Sequence, residues 1–152
     1  MILRPAQFAA LILTALALVP SGAHLLELPN KIGLSQADYF VVQGVYRGWA
    51  MLGLLWIAAL IANAVMAFLV RLQVRPFRLA MLSTLCFAVL FAIFFIWTLP
   101  ANQATENWTL VPAGWDSLRA QWEYSHALNS AVVFIALCLT CLSVISWRPA
   151  NS

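Results

Sequence analysis

Charge is scarce along this chain. Lys, Arg, Asp and Glu make up 9% of its residues and 64% are hydrophobic, where a soluble domain carries about 25% charged residues. A water-soluble fold of 152 residues has too little interior to hide that much apolar surface, so its solvent must be lipid. The eight Lys and Arg are scattered, which leaves no concentrated basic patch for a nucleic-acid groove. Nucleic acid is therefore not an expected partner. Cysteine is scarce as well. Cys86, Cys138 and Cys141 all fall inside apolar runs, and an odd number without an extracellular pairing pattern argues against a disulfide framework. Cys138 and Cys141 form a C-x-x-C that could serve as a redox pair; the alternative is two small hydrophobes in a lipid-buried helix. Repeats and low-complexity tracts are lacking, and the length suits one domain.

What remains is apolar sequence in four long runs. Helices are expected over residues 6–28, 39–70, 77–99 and 117–147, each long enough for the about 20 residues that cross the hydrocarbon core. Pro29-Asn30-Lys31 should end the first, Arg75-Pro76 separates the second from the third, and Pro100 should close the third. Asp38 is the expected N-cap of the second helix, and Asp116 or Ser117 that of the fourth. Arg4, the apolar stretch from Phe8 to Val19 and Pro20-Ser21-Gly22-Ala23 resemble a cleavable signal. The apolar run continues through Leu25, Leu26 and Leu28, however, so this segment is read as the first helix. The expected fold is all-α, an up-down bundle of four transmembrane helices in a single domain.

Arginines set the expected direction. Arg4, Arg71, Arg75, Arg78 and Arg148 belong to one side, which lacks Asp and Glu. Lys31, Arg47 and Arg119 mix with Glu27, Asp38, Glu106, Asp116 and Glu123 on the other. The positive-inside bias puts both termini in the cytoplasm of a cell with this protein in its inner (plasma) membrane. Trp97, Trp108, Trp115 and Trp122 then fall near the outer interface and Trp147 near the inner one. Asn107-Trp108-Thr109 is an N-glycosylation sequon of the kind that also arises by chance.

Polar residues within the spans gather at the outer end. The first helix offers His24 and Glu27, on one face at i, i+3. The second offers Tyr39, Gln43, Tyr46 and Arg47, and the fourth Arg119, Glu123, His126, Asn129 and Ser130. At ~1.5 Å per residue, His24 lies roughly 27 Å above Ala6, Arg47 roughly 34 Å above Val70 and His126 roughly 31 Å above Trp147. They share one height and could meet around one pocket. The two histidines each stand three residues from a glutamate, the way bundles present metal ligands. His24, Glu27, Glu123 and His126 would suit iron, zinc or manganese. Arg47 and Arg119 at the same height would repel a cation and compete for the carboxylates, so no cofactor is the expectation and a metal the alternative. In the ion-network reading Arg47 pairs with Glu27 or Glu123.

The second half carries a recognisable pattern. Leu99-Pro100-Ala101-Asn102 closes the third helix, and Trp115-x-x-Leu118-Arg119-x-x-Trp122-Glu123-x-x-His126 opens the fourth. This resembles the anthrone oxygenase-like family of four-helix membrane proteins, over about residues 40–147. Asn102, Trp122, Glu123 and His126 match its motif, and Asn129 stands where that family commonly has an arginine. The resemblance implies oxidation of a flat apolar aromatic by molecular oxygen without flavin or haem. On that reading His126, oriented by Glu123, is the base, with His24, Glu27 and Arg47 completing the catalytic group. Gln43, Tyr46, Trp122, Asn102 and Asn129 would line the substrate, and Trp49 adds stacking surface. The other class is a non-enzymatic subunit or assembly factor held by a membrane-protein partner or a second copy of itself. The lipid bilayer is a partner under either.

Overall fold

A computed structural model of the chain describes residues 2–149. The described residues are all helical or loop, with no strand, and contain four helical stretches long and apolar enough to span a membrane: Leu3–Lys31, Trp49–Leu69, Val74–Ala104 and Trp115–Ser146. In chain order the elements are α1 (Leu3–Lys31), α2 (Gln36–Gln43), two 3₁₀ turns (Gly44–Tyr46 and Trp49–Leu52) and α3 (Gly53–Leu69). There follow α4 (Val74–Ile93), a π-helical turn (Phe94–Thr98), α5 (Leu99–Ala104) and α6 (Trp115–Ser146). α1 packs on α3, α3 on α4 and α4 on α6, and α6 closes the ring on α1. The start of α1 lies beside the end of α6: the Arg4 guanidinium sits 5.6 Å from the Trp147 ring. Gln73, in the α3–α4 turn, donates to Arg148 O at 2.6 Å and accepts from Arg148 N at 3.2 Å. This is an integral membrane protein with an up-down four-helix architecture.

The interior is built from small and polar residues. Along α1 the buried positions are Gln7, Ala10, Thr14, Ala17, Ser21, His24 and Lys31, a three–four spacing that gives a coiled-coil seam. α6 repeats it with Trp122, His126, Asn129, Val133, Ala136, Thr140 and Ser143. Large apolar side chains such as Leu16, Val19, Leu54, Ile61, Leu85 and Phe134 point outward instead. Lipid tails solvate Leu and Phe as well as a protein core does, so helix association in a membrane relies on close backbone approach and interhelical hydrogen bonds.

Asn63 is the hub of those bonds. Its Nδ2 donates to Thr14 Oγ1 and to Ala59 O, both at 2.9 Å. Its Oδ1 accepts from Ser83 at 3.1 Å and Thr140 at 2.7 Å. One side chain thus ties together α1, α3, α4 and α6, and all four residues are fully buried.

Four boundaries differ from expectation. α1 continues through Pro29 to Lys31, which carries the lysine into the bundle end. The second span does not reach back to Tyr39: Arg47 is extended (ψ 121°) and Gly48 takes φ +88°, separating α2 from the membrane-spanning part. That positive φ suits glycine, which has no Cβ to clash. The third span passes through Pro100, where a closure was expected. Pro100 has no N–H to return to the preceding turn, and the wider π turn just before it takes up the mismatch, with Leu99 N bonding Phe94 O and Gln121 of α6 capping Trp97 O at 2.7 Å. The N-caps are Ser35, which accepts from Asp38 N at 3.2 Å, and Gly114 at φ +73°, in place of Asp38 and of Asp116 or Ser117.

Replacing Asn63 by Leu should therefore weaken the bundle by about 1–2 kcal/mol, the range for interhelical hydrogen bonds in membranes. Unfolding in mixed detergent micelles with rising SDS measures it. A midpoint equal to that of the wild type would show that the hub contributes nothing.

Candidate functional site

At the end of the bundle away from the termini, α1 delivers a lysine where arginines were expected to act. Lys31 is the chain's single lysine and is 4% exposed. Its Nζ lies 2.9 Å from Glu123 Oε1, 3.9 Å from Glu27 Oε2 and 2.7 Å from the Tyr46 hydroxyl, to which it donates. The ammonium also sits over the rings of Tyr46 (4.3 Å) and Trp122 (4.9 Å). Tyr46 in turn donates to Glu27 Oε2, and Tyr39 donates to Glu123 Oε1 at 2.9 Å. Gln43 donates to the Tyr39 oxygen. Tyr39 has one proton and gives it to Glu123, so its oxygen must accept from Gln43; this fixes the amide with Oε1 free. Burial first, and the Glu123 carboxylate second, raise the Tyr39 phenol far above its usual value. Burial and the hydrogen bond to Glu27 do the same for Tyr46. Both phenols stay neutral donors.

Arg47 and Arg119 do neither of the things expected of them. Arg47 is exposed, lines a cavity and makes no ion pair with the described residues. Arg119 donates to Leu34 O at 2.8 Å and stacks over Trp115 at 4.6 Å. The reason is register: the break at Gly48 turns Arg47 away from the bundle axis, while the extra turn of α1 brings Lys31 onto it. The i, i+4 spacing of Glu27 and Lys31 was the sequence signal for this pair.

The two histidines meet each other and leave their glutamates. The rings of His24 and His126 stack with centroids 4.0 Å apart and planes 27° apart. Trp122 packs on both, 5.0 Å from His24 and 4.3 Å from His126. Nδ1 of each imidazole is buried without a hydrogen-bond partner, so Glu123 does not orient His126. Its Oε1 is taken by Lys31 and Tyr39, and its buried Oε2 has no partner. Asn129, one turn further along α6, is fully buried with both amide atoms unpartnered. Among the described residues no group of three or more His, Cys, Asp and Glu is placed to hold a metal ion. The cysteines Cys86, Cys138 and Cys141 are all free.

Beside the histidines lies a cavity of about 690 Å³. His24, Gln43, Tyr46, Arg47, Asn102, Trp122 and His126 all line it, which brings together most of the residues singled out in the sequence. Asn102 Oδ1 accepts from both Trp108 Nε1 (3.2 Å) and Trp122 Nε1 (2.8 Å), so one amide aligns two walls. Trp108 reaches its place because Glu106, Asn107 and Trp108 all adopt positive φ (47°, 56° and 66°). That conformation is uncommon for residues other than glycine. Trp56, at the start of α3, also lines the cavity and had no sequence signal beyond its apolar run.

Removing one partner of a buried ion pair leaves the other charge uncompensated, at a cost of about 3–5 kcal/mol. Lys31→Met should lower stability by that order in SDS unfolding, and Lys31→Met/Glu123→Gln should recover much of the loss. A single variant as stable as the wild type would remove Lys31 from the centre of the site. No family model, curated protein or solved structure matches the chain, so its function is read from the geometry of this site.

Proposed function

We propose that this protein admits a flat, apolar, weakly acidic small molecule from the bilayer into the aromatic cavity and removes a proton from it with the His24–His126 pair. The loss of that proton begins a cofactor-independent oxidation by molecular oxygen. One observation carries this reading: two stacked, buried imidazoles, free of carboxylate partners, stand in the wall of an aromatic cavity large enough for such a molecule.

Two imidazolium charges 4.0 Å apart would repel by about 4 kcal/mol at an effective dielectric constant near 20. At least one ring is therefore neutral and able to act as a base. Tyr46, Trp49 and Trp122 pack around His24 and offer ring faces and edges to a planar substrate. The carbanion passes one electron to O₂, and the resulting radical and superoxide combine to form the carbon–oxygen bond. The peroxide takes back the proton held by the imidazole. Loss of water then breaks the O–O bond and the remaining C–H bond, so that CH₂ and O₂ become C=O and H₂O. Arg47, lining the cavity without an ion pair, supplies positive charge to the anionic stages. Lys31, Glu123 and Tyr39 act by positioning Trp122 and Tyr46.

The motif Trp122-Glu123-x-x-His126 and its likeness to the anthrone oxygenase-like proteins support the same chemistry, with His24 in the partner role that Glu123 was expected to fill. The excess of arginine at the end bearing the termini supports a site facing the outer side of the membrane.

Oxygen uptake by the reconstituted protein with anthrone as probe tests the reading. The expected result is uptake of one O₂ per anthrone, faster than in protein-free liposomes. Removing a general base costs about 10²–10⁴-fold, and His126→Ala and His24→Ala should lose activity toward that range. Uptake equal to the protein-free rate, or unchanged in both variants, would overturn it.

A further inference from the structure

The fold gathers five arginines that are scattered along the chain at the end of the bundle opposite the cavity. Arg4 lies in the first turn of α1, Arg71, Arg75 and Arg78 lie in and beside the α3–α4 turn, and Arg148 follows α6. Three contacts hold these segments at one level: the Arg4 guanidinium over Trp147, Gln73 bonded to the Arg148 backbone, and Ser143 of α6 donating to Pro76 O at 2.8 Å. All five arginines are exposed, and none forms an ion pair with the described residues. The Asp and Glu residues, from Glu27 to Glu123, all belong to segments at the other end. Arg71 turns back to donate to Phe68 O at 2.7 Å. The other four guanidinium groups have no protein oxygen.

These arginines stand where the hydrocarbon stops. On α4, Arg78 continues the exposed stripe of Leu82 and Leu85, and on α1, Arg4 continues that of Phe8 and Ile12. Residues at such spacings share a helix face, and exposed apolar side chains within a span face lipid tails. Trp147, which Arg4 overlies, marks the same boundary, because tryptophan settles at the level of the headgroups. An arginine there lays its stem along the apolar surface and carries its charge out to the interface. Lipid phosphate is what it meets, and the planar guanidinium matches two phosphate oxygens at once. A zwitterionic headgroup brings its own cation to that phosphate, whereas an anionic headgroup needs one from elsewhere. A soluble acidic partner would be met by charges held clear of the membrane, and these are set in the end turns of the spans.

We infer that this end of the bundle is a binding surface for anionic phospholipids, whose headgroup phosphates pair with Arg4, Arg75, Arg78 and Arg148. The surface is separate from the cavity and does not depend on its chemistry.

Electron spin resonance of spin-labelled phosphatidylglycerol and phosphatidylcholine tests this, with the protein reconstituted in phosphatidylcholine bilayers. The motionally restricted fraction of each label measures its association with the protein. One arginine near an anionic headgroup is worth about fivefold, so the wild type should prefer phosphatidylglycerol by about two- to fivefold over its whole lipid shell. Salt at about 1 M, where charges are screened within about 3 Å, should bring the preference close to unity. Arg78→Gln should lower it, and Arg75→Gln/Arg78→Gln/Arg148→Gln should abolish it. Arg47→Gln, the same change of charge at the other end, should leave it unaltered. Equal association of the two lipids with the wild type overturns the inference. So does a preference that survives the triple variant, or one that falls as far with Arg47→Gln as with Arg78→Gln. A preference removed by inorganic phosphate at constant ionic strength assigns the arginines to a free anion, and overturns it as well.

Discussion

The Lys31–Glu123 ion pair is the contact around which the rest of the site is arranged. A charge this far from water survives only with an opposite charge and further hydrogen bonds. Each partner has them: Glu123 takes a second proton donor from Tyr39, and Lys31 takes the Tyr46 oxygen and the faces of two aromatic rings. The pair links the last turn of α1 to the third turn of α6 and both to the irregular segment between α1 and α3. Glu123 is held by Lys31 and Tyr39 through Oε1, Glu27 accepts from Tyr46, and the two histidines stack on each other.

The same lipid constraint acts lower in the bundle with a different outcome. Around Asn63 the donors and acceptors balance: Thr14, Ser83, Thr140 and the Ala59 carbonyl account for the amide. Between that hub and the ion pair the balance fails. His24, His126, Asn129 and Trp56 all keep buried polar atoms without partners. Orphaned polar atoms in a native interior call for an explanation, such as ordered water, an ion or a catalytic role. Three of these four residues line one cavity. The bundle thus has a lower half whose described polar side chains are paired and an upper half that leaves buried polar atoms without partners among the described residues.

The irregular backbone is confined to this upper half. The Gly48 break, the π turn before Pro100 and the three positive-φ residues at 106–108 all fall there. Non-helical backbone near a membrane is tolerated where it is buried in protein or borders a cavity. Each irregularity places a wall of the cavity: Gly48 sets Tyr46 and Trp49, and the turn at 106–108 sets Trp108. Strained conformations persist where surrounding contacts over-determine them, and here Asn102 does so by accepting from both Trp108 and Trp122.

Hydropathy alone determined that there are four spans, and helical rise brought His24 and His126 to one height, because each depends only on distance along the chain; the height expected for Arg47 assumed a helix that breaks at Gly48. Which of those groups touch was a matter of rotation about the helix axes, and that was settled by packing. Pro29 and Pro100 read as stops, yet both helices pass them, and before Pro100 a wider turn takes up the missing N–H. The break at Gly48 was hidden inside a continuous apolar run, and with it the exclusion of Arg47 from the ion network. Lys31 looked like a loop residue; the extra turn of α1 made it the central cation. The i, i+3 spacing of each histidine and glutamate was visible in the chain, but a side chain bonds to what the neighbouring helix presents. Only the tertiary structure could set lysine against glutamate and imidazole against imidazole.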